Sequence, residues 1–284
     1  SFLISRFPFP SMRFPTYTAA VAWLYARNQF AIKLGLENTR NLLAELGNPQ
    51  DGLRFLHVAG TNGKGSVCAA LAAMLPALGL RRIGLYTSPH LVSFRERIRV
   101  DGEPVPAAYV LDWLNRNLSL LERLNPTYFE IVTAMALCRF RDAGCGAVVL
   151  ETGLGGRLDA TNVVTPAVSV ITTIDMDHAD VLGDTLEAIQ REKLGIVKPG
   201  VPVVLDEARP SLVRQAVEAA GARHAPLRNL AEAFAVEGDV VRVQGAHAAY
   251  TLPADLRPDA HGLRNGALAV LALEAFHGDA LPAA

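Results

Sequence analysis

Apolar residues occur along this chain in short unbroken blocks, separated by stretches in which they recur every three or four positions. The blocks at 54–59, 83–87, 147–151, 167–172 and 201–205 are rich in Val, Ile and Leu and too short for helices. A strand covered on both faces has that composition, so each block predicts a buried strand. Helical spacing lies between and after them, at 66–78, 129–143, 185–197, 210–220 and 261–277. Strands alternating with helices predict an α/β fold, a mostly parallel sheet with helices on both faces. Upstream, Val21, Leu24 and Tyr25 predict a short helix from Thr18, residues 33–38 a glycine-containing turn, and Asn38 the start of a helix reaching Leu46. Residues 234–252 alternate with period two, which predicts two antiparallel strands with a hairpin at Gly238-Asp239. Residues 1–17 are rich in Pro and Phe without a period and predict an irregular lead-in to a folded body over 18–284.

Charge narrows the range of partners. The 27 basic and 28 acidic residues leave a formal net charge of −1, which supplies no global field to attract nucleic acid or an anionic membrane. Any anion site must be local. The longest apolar stretches, such as 67–80, are too short or too interrupted by Gly and Pro to span a bilayer. Cys68, Cys138 and Cys145 are odd in number, lie in apolar segments and lack metal-ligand spacing, which predicts buried thiols in a reducing, cytoplasmic compartment.

The densest chemistry is Gly60-Thr61-Asn62-Gly63-Lys64-Gly65-Ser66, between a predicted strand and a predicted helix. Glycines there let backbone N–H groups approach phosphate oxygens, the helix N-terminus adds partial positive charge, and Lys64 offers a mobile ammonium. The spacing departs from the general phosphate-loop pattern, because only two residues separate Gly60 from Gly63 and Gly65 stands between Lys64 and Ser66. A structural Gly-rich turn is the competing reading, and the lysine and hydroxyl disfavour it.

That variant loop, with Ala59 before it, resembles the ATP loop of the Mur ligase superfamily, most closely its folylpolyglutamate synthase and dihydrofolate synthase branch. Six further segments agree in order. They are Leu34-Gly35-Leu36-Glu37, Tyr86-Thr87-Ser88-Pro89-His90-Leu91, Thr127-Tyr128-Phe129-Glu130, the run from Glu151 through Thr152-Gly153-Leu154-Gly155-Gly156-Arg157-Leu158-Asp159-Ala160 to Asn162, Asp177-His178, and Arg191-Glu192-Lys193-Leu194-Gly195-Ile196. The resemblance extends from Leu34 to Ala272. It implies a P-loop domain of the Mur ligase central type over 18–284, and an ATP-dependent ligase that adds L-glutamate to a folate or dihydropteroate carboxylate through an acyl phosphate. Family members continue into a further α/β domain, so the expectation is a chain without its C-terminal glutamate-ligase domain.

The resemblance also assigns residues. ATP would contact Thr61, Asn62, Gly63, Lys64, Gly65, Ser66 and Asn265. Two magnesium ions, with manganese as an alternative, would be held by Ser88, Glu151, His178 and Lys193. Lys193 is then carbamylated, which turns a cation into an oxygen ligand and requires a buried lysine with a depressed pKa. Lys64, Lys193 and His178 are the expected catalytic set. The pterin end would meet Lys33, Leu34, Gly35 and Leu36, Thr127, Tyr128, Phe129 and Glu130, and Leu158, Asp159 and Ala160, an aromatic and apolar wall with carboxylates for ring N–H groups. Near Asn265 the pattern departs, since Gly262 stands where a glutamine is expected. Plain readings compete throughout: a strand-end carboxylate for Glu151, a cap for His178, a turn residue for Ser88, an ion-pair partner for Lys193 and core packing for Tyr128 and Phe129. The expected protein is a monomer with small-molecule substrates. The alternatives are another Mur-type amino-acid ligase, or a nucleotide-binding module without turnover.

Overall fold

The computed structural model describes residues 13–27, 35–253 and 260–282. At its centre lies a sheet of eight strands in the order β4-β3-β2-β5-β1-β6-β7-β8. These are β1 (Phe55–Ala59), β2 (Ile83–Tyr86), β3 (Ile98–Val100), β4 (Glu103–Pro104), β5 (Ala147–Glu151), β6 (Val168–Ile171), β7 (Val203–Leu205) and β8 (Leu227–Asn229). The six from β2 to β8 in that order pair in parallel, while β3 and β4 add an antiparallel edge. Every residue of β1, β2, β5, β6 and β7 is buried, as continuous apolar blocks require.

Successive side chains on a strand point to opposite faces, and the sheet obeys this. Tyr86, Val148 and Leu150 join one core with α1 (Tyr17–Ala26), α2 (Glu37–Glu45), α4 (Ala107–Leu124) and α5 (Tyr128–Ala143). Leu85, Ala147 and Val149 join the opposite core with α3 (Lys64–Met74) and α10 (Ala260–His277). A third cluster packs β7 against α7 (Leu186–Lys193) and α8 (Pro210–Gly221). The expected parallel sheet covered on both faces is thus what forms. None of the helices among the described residues is long and apolar enough to cross a membrane.

Three features go beyond the sequence reading. Helix α4 occupies 107–124, between the elements that the sequence predicts. Residues 234–253 form three strands rather than two: β9 (Phe234–Glu237), β10 (Val240–Gln244) and β11 (Ala249–Pro253), with the hairpin at Gly238-Asp239 as expected. The lead-in is shorter than expected, because Tyr17 is already helical and Phe14 is fixed by Asn115, whose Oδ1 accepts its N–H at 2.6 Å.

The small sheet is fastened to α10 by one carboxylate. Glu274 accepts hydrogen bonds from the N–H groups of Ala246, His247 and Ala248 at 2.6, 3.0 and 3.1 Å and from the Tyr250 hydroxyl at 2.8 Å. Burial alone would raise its pKa, but these donors outweigh it and hold the carboxyl below its ordinary value. A depressed carboxylate stabilises the fold above its unfolded pKa, and that stability is lost as pH falls through the folded value. Glu274→Ala is therefore expected to cost about 3 kcal/mol at neutral pH, and the gap between wild type and variant should narrow below about pH 4. Urea melts across pH would check both; a variant gap that stays constant down to pH 2 would contradict the assignment.

Candidate active site

Four neighbouring strands, β2, β5, β1 and β6, end at one edge of the sheet, and the segments leaving them carry most of the marked residues. This is the edge at which open parallel sheets bind ligands. Leaving β1, the chain turns at Gly60, where φ is +153° and a Cβ would lie 1.7 Å from Thr172 Oγ1. Only glycine lets the loop press so closely on the β6 exit. Gly63, at φ +82°, caps α3 and faces Asn265. The loop is bonded to the β6 exit along its length. Thr61 N donates to Thr173 O at 2.8 Å, and the Thr172 hydroxyl donates to Asn62 O at 2.7 Å. The Thr61 hydroxyl meets both the N–H and the carbonyl of Asp175 at 3.1 Å.

Two lysines converge on the Gly60 carbonyl. Lys64 Nζ donates to it at 3.0 Å and to Thr61 O at 3.1 Å, and Lys193 Nζ, at the end of α7, donates to it at 2.9 Å. Lys193 is 1% exposed and forms an ion pair with Asp177 Oδ2 at 3.1 Å. Burial lowers the Lys193 pKa, with Asp177 pulling in the other direction. Asp177 Oδ1 in turn lies 3.5 Å from Nε2 of His178, an exposed side chain at the start of the short helix Ala179–Leu182. A line of polar atoms therefore runs from Lys64 through the Gly60 carbonyl, Lys193 and Asp177 to His178.

Glu151 stands at the end of β5, 3% exposed. Its Oε2 accepts the Ser88 N–H at 3.0 Å and lies 4.0 Å from where a Cβ on Gly65 would project, beside the first turn of α3. Burial pushes its pKa up to about 7 against the pull of the Ser88 N–H and the Lys64 charge. Among the described residues it forms no ion pair, and no three His, Cys, Asp or Glu side chains gather into a metal cage. A buried carboxylate with a single hydrogen-bond donor fits a cation ligand, and magnesium at a phosphate site takes few protein ligands and keeps water and phosphate oxygens.

Beside the loop a recess of about 210 Å³ is lined by Asn62, Gly63, Thr173 and Asn265, together with Asp206, His261 and Arg264, which the sequence did not mark. Arg264 pairs with Asp206 and lies over the Phe234 ring, so its head is held at the rim.

The residues marked for a pterin divide by role. Lys33 and Leu34 lie outside the described residues, and Gly35 and Leu36 lead into α2. Thr127 and Glu130 form the capping box of α5, and the Glu130 carboxylate is further engaged by Asn38 at 2.9 Å and Thr39 at 3.3 Å. Asp159 is buried and accepts the N–H groups of Gly153, Leu154 and Thr161 at 2.8 to 2.9 Å, which shapes the loop that carries Leu158 and Ala160. Tyr128 stacks on Tyr25 with centroids 5.7 Å apart, and Phe129 packs on Gly153, where a Cβ would fall 2.4 Å from its ring. Tyr128 is thus a core residue, 6% exposed, in line with the packing reading of it, and of the two aromatics only Phe129 is half-buried beside the loop.

Comparison with known proteins agrees with this arrangement. Residues 58–224 match the Mur ligase middle domain. A dihydrofolate synthase/folylpolyglutamate synthase of Bacillus subtilis is 37% identical over 276 residues, covering 92% of this chain and 64% of that protein. Its Escherichia coli counterpart is 41% identical over 205 residues, covering 71% of this chain and 48% of that protein. Among solved structures, an FPGS-AMPPCP-folate complex superposes with a TM-score of 0.82 at 32% identity, covering 94% of this chain and 69% of that one. E. coli FolC in complex with DHPP and ADP gives a TM-score of 0.81 at 35% identity, covering 95% and 65%. The chain thus spans between about half and about two thirds of the length of these relatives. With its phosphate-type loop, four converging strand ends and these matches in hand, the chain belongs to the Mur ligase family, in the branch of the folylpolyglutamate and dihydrofolate synthases.

Proposed function

We propose that this chain carries the nucleotide and acceptor sites of an ATP-dependent ligase that joins L-glutamate to a folate or dihydropteroate carboxylate. The observation that carries the reading is the meeting of Lys64 and Lys193 on the Gly60 carbonyl, with Asp177 paired to Lys193 and Glu151 beside the same helix start. A terminal phosphate seated on the loop would draw the Lys64 ammonium off the carbonyls that now hold it, and phosphoryl transfer depends mainly on such positioning and charge neutralisation. An acceptor carboxylate oxygen attacks the γ-phosphorus and ADP leaves. The glutamate amine then attacks the acyl carbon, phosphate departs and the amine gives up a proton.

Ser88 and Glu151 would hold one magnesium ion, and His178 with a carbamate on Lys193 a second; bound there, the ions would neutralise phosphate charge. Carbamylation joins the neutral Lys193 amine to carbon dioxide with loss of a proton, and the buried setting and lowered pKa of this lysine favour the neutral amine. Asn62, Thr173 and Asn265 would line the nucleoside end, and the free, buried thiols of Cys68, Cys138 and Cys145 suit a reducing compartment such as the cytoplasm. The test is phosphate release from ATP with dihydropteroate, tetrahydrofolate or a UDP-muramyl acceptor, each with and without L-glutamate. Release that needs both a folate-type acid and glutamate is expected. Turnover with the muramyl acceptor alone would indicate another Mur-type ligase, and ATP binding without turnover on any acceptor a nucleotide-binding module.

A further inference from the structure

Among the described residues Arg97 is a buried cation without an ion-pair partner. It ends the turn before β3, where its carbonyl accepts the Thr87 N–H at 3.1 Å, one residue from Ser88. Its side chain runs inward and the residue is 8% exposed. The guanidinium carbon lies 5.5 Å from the centroid of the Tyr128 ring. Nε donates to Nδ1 of His90 at 2.7 Å, and Nε2 of His90 meets the Tyr25 hydroxyl at 3.2 Å. A ring nitrogen that accepts is unprotonated, so His90 orients the guanidinium without compensating its charge. None of the ion pairs among the described residues includes Arg97, and no described side chain accepts from its terminal nitrogens. Glu151 is near enough to feel its charge but is not paired with it.

Its terminal nitrogens are not among the buried polar atoms left without a partner, so the fork opens to a space where a ligand can reach it, while the rest of the side chain is buried. Four N–H donors in a planar fork fit a carboxylate or a phosphate in a bidentate manner. The position of the fork selects between them. It stands over the buried Tyr128 ring, and Glu151, beside the phosphate loop, is close enough to feel its charge. An acid whose flat ring lies against the half-buried Phe129, on Gly153, and whose carboxylate reaches toward the loop would bring that carboxylate to the Arg97 side of Glu151.

We infer that Arg97 is the residue that holds the acceptor's carboxylate, fixing it for attack on the terminal phosphate, with His90 as the positioning residue behind it. This rests on the ligase reading above, adding a substrate-carboxylate subsite to it. The chemical class selected is an aromatic carboxylic acid with the charged group at one end. An uncharged carboxamide of the same shape would keep the stacking surface and lose the fork.

The test is equilibrium binding of dihydropteroate and of its carboxamide to the full chain in the presence of magnesium and AMPPCP, whose own binding is measured first. Wild type is expected to prefer the acid by about 30-fold or more, the range of a bidentate charge-assisted contact. Arg97→Gln should erase that preference while leaving carboxamide and AMPPCP affinities within about threefold. Arg97→Lys, which keeps the charge but not the fork, should retain only part of it. Should the wild type bind AMPPCP yet fail to distinguish acid from carboxamide, the carboxylate subsite is refuted by the unmodified protein and the nucleotide reading survives. An undiminished preference in Arg97→Gln refutes it equally. Failure to bind AMPPCP at all would bring down the ligase reading and this inference with it.

Discussion

Lys64→Met is expected to lower ATP-dependent phosphate release by about a thousandfold, the scale of losing a preorganised charged donor to a transferring phosphoryl group. The ammonium is stationed on the Gly60 and Thr61 carbonyls at 3.0 and 3.1 Å, so it lies within the loop and needs only a small swing to reach a phosphate. Methionine keeps the apolar stem and removes the charge, leaving the first turn of α3 undisturbed. AMPPCP affinity should fall less than the rate, because the lysine matters most where charge develops in the transition state. Rates from a phosphate-release assay and affinities from calorimetry would separate the two. A rate within tenfold of wild type would remove Lys64 from the chemistry.

The second large effect belongs to Lys193. Lys193→Ala is expected to lose about a thousandfold in turnover, and millimolar formate or acetate should restore a measurable part of it. In a protein freed of carbon dioxide and bicarbonate, the wild type should lose activity and regain it when bicarbonate returns. The variant must also carry a structural penalty, since the lysine is 1% exposed and is bonded to Gly60 O and Asp177. We expect about 2 to 3 kcal/mol of lost stability, from a buried ion pair left half made. Failure of small acids to rescue, together with indifference to bicarbonate, would mean that Lys193 acts as a cation clamping Asp177 to the loop.

Local pattern made much of this legible in advance. The central strands announced themselves as apolar blocks bounded by glycine and charge, and the loop between β1 and α3 by its glycines and lysine. Helix α4 shows the limit of attention to motifs: Val110, Trp113, Leu114, Leu118 and Leu121 have helical spacing and form its buried face. No functional motif lies there to draw the eye. The edge strands β4 and β8, and β3 beside β4, are two or three residues long, too short for any periodicity to register.

Site residues were legible as letters and not as roles. Glu130 and Asp159 look like free carboxylates in the sequence, whereas each is engaged by donors that shape its surroundings. Asp177 was visible only as the neighbour of His178, yet it is the group that faces Lys193. Arg97 sits in the charged run Arg95-Glu96-Arg97, and nothing in that run distinguishes the buried arginine from the two more exposed residues before it. Burial and pairing are three-dimensional properties, and neighbouring letters do not encode them.

The Thr61 hydroxyl, clasping Asp175 from both sides, has a mechanical consequence. With Gly60 pressed against Thr172, two strand exits distant in sequence are held to each other. Asp177, two residues beyond Asp175, therefore takes its place from the same ties that shape the glycine turn, although 116 positions separate Thr61 from Asp177 in the sequence.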